Sequence, residues 1–263
     1  MDLDAALAAL SDGAHEVLGD GLLGLYLVGS FAIGAGDEHS DVDFLAVTRE
    51  RLTPAQVSTL GDLHARLPDL PGYWTAHLEG SYAPQADLRS PMSVGRAWPY
   101  VDNGQRVLTL SDHDNTLHAR WLLREHGIAL LGPQAAALVA PVDEGALRAE
   151  MIGVARARAE HLEEDPACLT NGWYQPYLVL TLCRALYTTC TGRVTSKAAA
   201  AEWALAQVPA EFGELIRRAV ADRPDPWVRV HQEADPTLAA PTRAFAWEVH
   251  RLIGAEALRR RTD

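Results

Sequence analysis

Four polar or small residues set among apolar stretches carry the first chemical signal: Gly29-Ser30 and, after ten intervening residues, Asp41-Val42-Asp43. A Gly-Ser turn that follows a strand and opens a helix lets the backbone approach a polyphosphate, with N–H groups and the Ser30 hydroxyl bonding its oxygens. Two carboxylates two residues apart on a strand project to one side and can share a hard, oxygen-preferring cation such as Mg2+. Either pair alone means little. In this order, between apolar strands and amid net negative charge, they predict metal-dependent nucleotidyl transfer. The plain alternative is two strand-end aspartates satisfied by turn amides.

The elements that must position these residues follow from periodicity. Residues 2–18 have the apolar spacing of a helix, with Leu3, Leu7, Leu10, Ala14 and Val17 on one face. Residues 22–28 form an apolar run of strand length that ends at Gly29-Ser30, and residues 41–48 read as a second strand. Its alternation sets Asp41 and Asp43 opposite Val42 and Phe44. Thr53-Pro54 is an N-cap followed by proline at the first helical position, predicting a helix to about Leu67. The aromatic-rich segment 73–82 reads as a strand with Glu79 near its end, and 83–104 as loop. A strand at 107–111, a helix ending at Gly127 and the apolar IALLGP complete this half. From Asp143 onward the strand signals vanish. Four amphipathic stretches, 143–164, 174–191, 196–221 (broken at Pro209) and 241–260, predict a helical bundle. The expected class is α+β, with a mixed sheet flanked by helices over 1–140 and an all-α bundle over 141–263.

Charge divides along the same line. The 263 residues carry 23 Lys and Arg against 35 Asp and Glu, a formal net charge of −12. Residues 1–140 hold 8 basic and 18 acidic side chains, so the first half is the one attractive to cations. This acidity argues against nucleic-acid binding through a broad basic surface. No apolar run approaches the roughly 20 residues that cross a bilayer, and the start carries acids where a signal peptide carries Lys or Arg. The expectation is a cytoplasmic protein without membrane partners. Cys168, Cys183 and Cys190 lack metal or disulfide spacing, and His113, His118 and His161 fit no zinc pattern and read as solvated or capping residues.

Gly-Ser followed about ten residues on by Asp-x-Asp resembles the signature of the DNA polymerase β-type nucleotidyltransferase superfamily. Residues 177–205, YLVLTLCRALYTTCTGRVTSKAAAAEWAL, narrow the resemblance to the streptomycin and spectinomycin adenylyltransferases, members of the aminoglycoside adenylyltransferase family. In these a V-L-T-L-x-R helix leads through T-G to a Lys that opens the next helix. The resemblance implies an N-terminal nucleotidyltransferase domain that uses ATP and Mg2+ and transfers AMP to an acceptor hydroxyl. It implies Asp41 and Asp43 as metal ligands, and Glu79 as the third carboxylate, either general base or further metal ligand. Gly29, Ser30, Ser40, Arg184 and Lys197 are implied as contacts of the ATP phosphates. Lys197, the sole lysine, would sit in a helix first turn, where the dipole slightly opposes a cation and an anionic partner would help. The family also implies a monomer.

The sequence departs from the family where streptomycin-modifying members carry an acidic residue before the V-L-T-L helix. Tyr174 stands there, with Gln175 beside it, so charge complementarity to a cationic drug is lost. Spectinomycin is therefore the favoured acceptor over streptomycin. Trp173, Tyr174 and Tyr177 could stack on an acceptor ring or fill the bundle core, and the resemblance implies Trp98 as the counterpart of a tryptophan that family members use in acceptor recognition. Adenylylation of a different small molecule or a protein hydroxyl, and a non-catalytic nucleotide-binding module, are the competing readings.

Overall fold

The computed structural model describes residues 3–262, so Asp2, the expected first residue of the opening helix, lies outside it. The chain divides into two compact units at Val142/Asp143. No helix among the described residues is long and apolar enough to cross a membrane.

The first unit holds helix α1 (Leu3–Leu18), strand β1 (Leu22–Leu27), the single turn α2 (Gly29–Ala32), β2 (Val42–Thr48), α3 (Pro54–Arg66), β3 (Leu78–Pro84), the turn α4 (Gln85–Leu88), β4 (Trp98–Val101), β5 (Thr109–Ser111), α5 (Leu117–His126) and β6 (Ile128–Leu131). Its six-stranded sheet has the order β5-β4-β3-β2-β1-β6. The β2/β3 pair is parallel and the other neighbouring pairs are antiparallel. Period-2 alternation gives the sheet two covered faces. On one, Leu25, Leu27, Val42, Phe44 and Ala46 pack with Leu7 and Leu10 of α1 and Leu60 and Leu63 of α3. On the other, Tyr26, Leu45, Val47 and Trp98 pack with Leu123 of α5 and with Leu138 and Val139. Parity therefore places Asp43, Glu79 and Tyr100 on the α5 face. A capping box starts α3: the Thr53 hydroxyl accepts from the Gln56 N–H at 3.3 Å, and Gln56 Oε1 accepts from the Thr53 N–H at 2.9 Å.

Two expectations change here. Residues 73–77 do not extend the strand. Trp74–Ala76 is a 3-10 turn, with Trp74 edge-on against Phe31 at 5.2 Å and the Tyr73 hydroxyl donating to the Glu38 carbonyl, so β3 begins at Leu78 and Glu79 lies near its start. The segment expected as loop contains β4, whose Tyr100 pairs with Ser81 and whose Trp98 pairs with Ser111.

The second unit comprises α6 (Glu144–Glu164), α7 (Tyr174–Thr191), α8 (Lys197–Ala204), α9 (Gly213–Ala221), the single turn α10 (Pro226–Arg229) and α11 (Ala239–Thr262). Buried residues lie all round α7, including Leu178, Val179, Leu180, Leu182, Cys183 and Leu186, which is the pattern of a central helix. Accordingly α6, α8, α9 and α11 all pack on it. Gln175 is part of that interior, its amide donating to the Thr242 hydroxyl of α11 at 2.9 Å.

Candidate active site

The two motif halves meet in space. Asp43 carries its carboxylate directly over the Cα of Gly29: a Cβ there would fall 1.8 Å from Asp43 Oδ2, and Gly29 has φ +62°. The Val28 N–H donates to the Asp43 carbonyl at 2.8 Å, fixing the end of β1 against the start of β2. Ser30 follows within the α2 turn and is half-buried. Ser40 is placed otherwise than at an open phosphate position. It is buried, its hydroxyl donates to Asp37 Oδ1 at 2.9 Å and accepts from the Asp37 N–H at 3.1 Å, and it thereby closes the turn that leads into β2.

Glu79 faces Asp43 in register across the parallel β2/β3 pair. Adjacent strands lie about 4.8 Å apart, so two carboxylates on one face are held close. Burial, then Asp43 and Asp41, push the Glu79 carboxyl up to about 9, opposed by a bond from Tyr100. That hydroxyl donates to Glu79 Oε1 at 2.7 Å. His113 Nε2 lies 3.5 Å from the same oxygen, with its ring 5.5 Å from that of Tyr100. His113, expected as a solvated or capping residue, thus keeps an exposed edge while also facing the site. Next to it Asp114 accepts from the Ser81 hydroxyl at 2.7 Å, and burial raises its pKa.

Asp41, just before β2, accepts a hydrogen bond from the Asn103 side-chain amide. The Asn103 carbonyl oxygen lies 3.2 Å from His77 Nδ1. Burial lowers the His77 pKa, with Asn103 and Asp41 opposing, so the ring is neutral near pH 7. Tyr100, Asn103 and His77 were missed in the sequence. The available signal was the apolar run Trp98-Pro99-Tyr100-Val101 followed by Asp102-Asn103.

The donors suit Mg2+ in chemistry: hard carboxylates crowded until one of them resists ionising. Among the described residues, no three His, Cys, Asp or Glu side chains are grouped so as to hold an ion by themselves. Mg2+ ordinarily takes one or two carboxylates together with substrate phosphates, and Asp41 and Asp43 are the two that could hold it. Glu79 accepts from Tyr100 at Oε1, and its Oε2 could take a proton or bind a cation.

Trp98 requires a correction. It is fully buried, its indole N–H donates to Asp87 Oδ2 at 3.0 Å, and the Arg120 guanidinium lies 5.9 Å from its ring centroid. Its side chain is part of the core between the sheet and α5.

In the second unit Trp173 and Tyr177 stack at 4.8 Å with 17° between planes, and Tyr174 packs partly buried against the bundle core. Burial raises the Tyr174 pKa, with Arg158 opposing. Ser196 is the N-cap of α8, accepting from the Ala199 N–H at 3.1 Å, so Lys197 is the first helical residue. The Lys197 ammonium lies 5.4 Å from the Tyr177 ring centroid, a cation–π contact that offsets the dipole. Arg184 is half-buried on α7.

A family model for the aminoglycoside adenylyltransferase C-terminal domain matches residues 138–242. A spectinomycin 9-adenylyltransferase of Staphylococcus aureus is 26% identical over 211 residues, which is 76% of this chain and 77% of that protein. One from Campylobacter jejuni is 24% identical over 84% of this chain and 87% of its own length. An aminoglycoside (3'') (9) adenylyltransferase of Klebsiella pneumoniae is 36% identical, over 36% of this chain and 34% of that protein. Among solved structures, spectinomycin adenyltransferase from Enterococcus faecialis, determined with ATP and spectinomycin, matches 96% of this chain and 100% of its own with TM-score 0.68 at 16% identity, a likeness of fold.

Proposed function

We propose that the chain is an aminoglycoside adenylyltransferase, as its similarity to the family's C-terminal domain and to spectinomycin 9-adenylyltransferases supports, and that it transfers AMP from ATP to a hydroxyl of an aminocyclitol antibiotic, with Mg2+ held by Asp41 and Asp43. The observation that carries this reading is the joint placement of Gly29 under the Asp43 carboxylate and of Glu79 in register beside it. Spectinomycin is the favoured acceptor, because Tyr174 supplies no charge where a cationic streptomycin would need one.

Bound Mg2+ would supply charge neutralisation at the phosphates and in the transition state. The chain's own residues have separate tasks. Backbone N–H groups at Gly29 and the Ser30 hydroxyl bond phosphate oxygens. Glu79 is left ionised once a cation held by Asp41 and Asp43 offsets the charges that, after burial, raise its pKa. It then takes the proton as the acceptor O–H bond breaks; that oxygen bonds to the α-phosphorus, and the bond from phosphorus to the departing pyrophosphate breaks. Arg184 and Lys197 are assigned to the ATP phosphates, as in the family pattern, and Trp173, Tyr174 and Tyr177 to acceptor recognition.

The test is mass spectrometry of reactions containing protein, ATP, Mg2+ and either spectinomycin, streptomycin or other aminoglycosides, with Asp41→Ala as blank. An AMP mass added to spectinomycin alone, absent from the blank, supports the proposal in full. Transfer to streptomycin instead overturns the acceptor choice. Glu79→Gln should lower kcat about 10²- to 10⁴-fold while Mg-ATP binding by calorimetry persists. Unchanged turnover in that variant would remove Glu79 from the chemistry.

A further inference from the structure

The strand that sequence patterning passed over ends in Tyr100-Val101 and leads into the turn Asp102-Asn103, and this short segment touches two of the three site carboxylates. Tyr100 bonds Glu79 Oε1 and Asn103 bonds Asp41 Oδ1. We infer that Tyr100 and Asn103 are positioning residues of the transfer reaction, a clamp from the β4 edge that fixes the proton acceptor with one arm and a metal-binding carboxylate with the other. The inference rests on the adenylyl-transfer reading above.

The hydrogen-bond inventory sets the direction of each arm. An ionised Asp41 carboxylate can only accept, so Asn103 must present its amide N–H there. Its carbonyl oxygen is thereby turned to His77 Nδ1 at 3.2 Å, which makes Nδ1 the protonated ring nitrogen. The Asn103 backbone N–H donates to Asp102 Oδ1 at 3.0 Å, holding the turn in which the amide sits. The Asn103 side-chain amide is therefore held at its nitrogen and its oxygen, and its backbone by Asp102, and Asp41 inherits that order.

Tyr100 works through a buried ring on the α5 face of the sheet. Its one phenolic proton is nearest Glu79 Oε1 at 2.7 Å, with Asp102 Oδ1 at 3.1 Å. Both neighbours recorded at Glu79 Oε1, Tyr100 and His113, approach that same oxygen, so the proton arriving from the acceptor hydroxyl goes to Oε2. Orientation of a base is worth rate more than affinity. The two arms therefore act on different observables, kcat for Tyr100 and cation dependence for Asn103.

The experiment compares Tyr100→Phe, Asn103→Asp and wild type, each verified folded by thermal melting. The first keeps the ring and removes one hydroxyl; the second keeps the shape and replaces the donor by a carboxylate. Tyr100→Phe should lose about tenfold or more in kcat with KM for ATP and acceptor within twofold. Asn103→Asp should raise the Mg2+ concentration for half-maximal rate severalfold and weaken Mg-ATP binding by calorimetry, while Asn103→His, which keeps a donor, should restore part of both. Equal kcat in Tyr100→Phe, or unchanged Mg-ATP affinity in Asn103→Asp, overturns the corresponding arm. Absence of turnover in the wild type would overturn the transfer reading instead, and calorimetry on the Asn103 variants would then decide the clamp alone.

Discussion

Replacing Gly29 by alanine should separate backbone strain from damage to the site. Gly29 has φ +62°, where a side chain costs about 1–2 kcal/mol. Its new Cβ would also lie 1.8 Å from Asp43 Oδ2 and 2.5 Å from Asp43 Cγ. Real Cβ contacts essentially never fall under 3.0 Å, so the carboxylate must retreat by about 1.2 Å. Displacements of about 1 Å at a reacting centre cost up to about 10²-fold. The expected outcome is a kcat lowered about 10²-fold and a Tm lowered by a few degrees, at roughly 2–4 °C per kcal/mol for a domain of this size. Gly34→Ala is the matched control: φ is +70° there, but nothing lies within 4 Å of the added Cβ. It should show the same small loss of Tm with nearly full turnover. The assay is AMP transfer with parallel calorimetric melting. Wild-type kcat in Gly29→Ala, or equal activity loss in both variants, would refute the argument that the carboxylate above Gly29 does the chemistry.

Three further outcomes follow from burial and charge. The Glu79 carboxyl is raised to about 9 from an ordinary value of 4.5, so the folded protein holds a proton that the unfolded chain releases. Stability in the absence of divalent cations should therefore fall as pH rises from about 4.5 to 9, and denaturant midpoints of Glu79→Gln should lack that component. His64, buried and bonded at 2.8 Å to the Tyr82 hydroxyl, has its pKa lowered to about 4 by burial. Its contribution is lost as pH falls from 6.5 through 4. His64→Phe should remove that acid sensitivity yet cost about 1–3 kcal/mol at pH 7, because Tyr82 keeps a buried hydroxyl without its partner. Trp98→Phe should cost about 1.5–3 kcal/mol through the lost bond to the Asp87 carboxylate, with no change in acceptor KM; a raised KM would return Trp98 to the list of acceptor contacts.

Strongly periodic elements were legible in the sequence. The helix at 54–66 announced itself through Thr53-Pro54, and the bundle helices through long apolar spacing without strand signals. Gly29-Ser30 and Asp41-Val42-Asp43 were readable because their spacing is local. Less legible was whatever tertiary contacts decide. Tyr73 and Trp74 have high strand propensity, but contacts with Glu38 and Phe31 draw them into a turn. β4 is four residues long and contains Pro99, so its period is too short to register, and its partners Ser81 and Ser111 lie in distant segments. Trp98 was a candidate for recognition only through the family resemblance, and its packing against Arg120 and Asp87 is what places it in the interior. Tyr100 and Asn103 went unnoticed, since they matter through neighbours about 20 and 60 positions away.

The parallel ladder between β2 and β3 joins seven consecutive pairs from Val42/Leu78 to Thr48/Pro84. Asp43 and Glu79 owe their proximity to that ladder and not to the length of chain connecting them. Evolution and engineering thus meet different tolerances on either side of Leu78. The surface stretch around Leu70–Tyr73 is exposed and can absorb added residues, since loop closure penalties grow only slowly with length. A single residue inserted between Leu78 and Glu79, with Leu78 held in register, would turn the glutamate to the opposite face, among the leucines of α1 and α3. Insertions before β3 should therefore be tolerated while its first two residues keep their spacing.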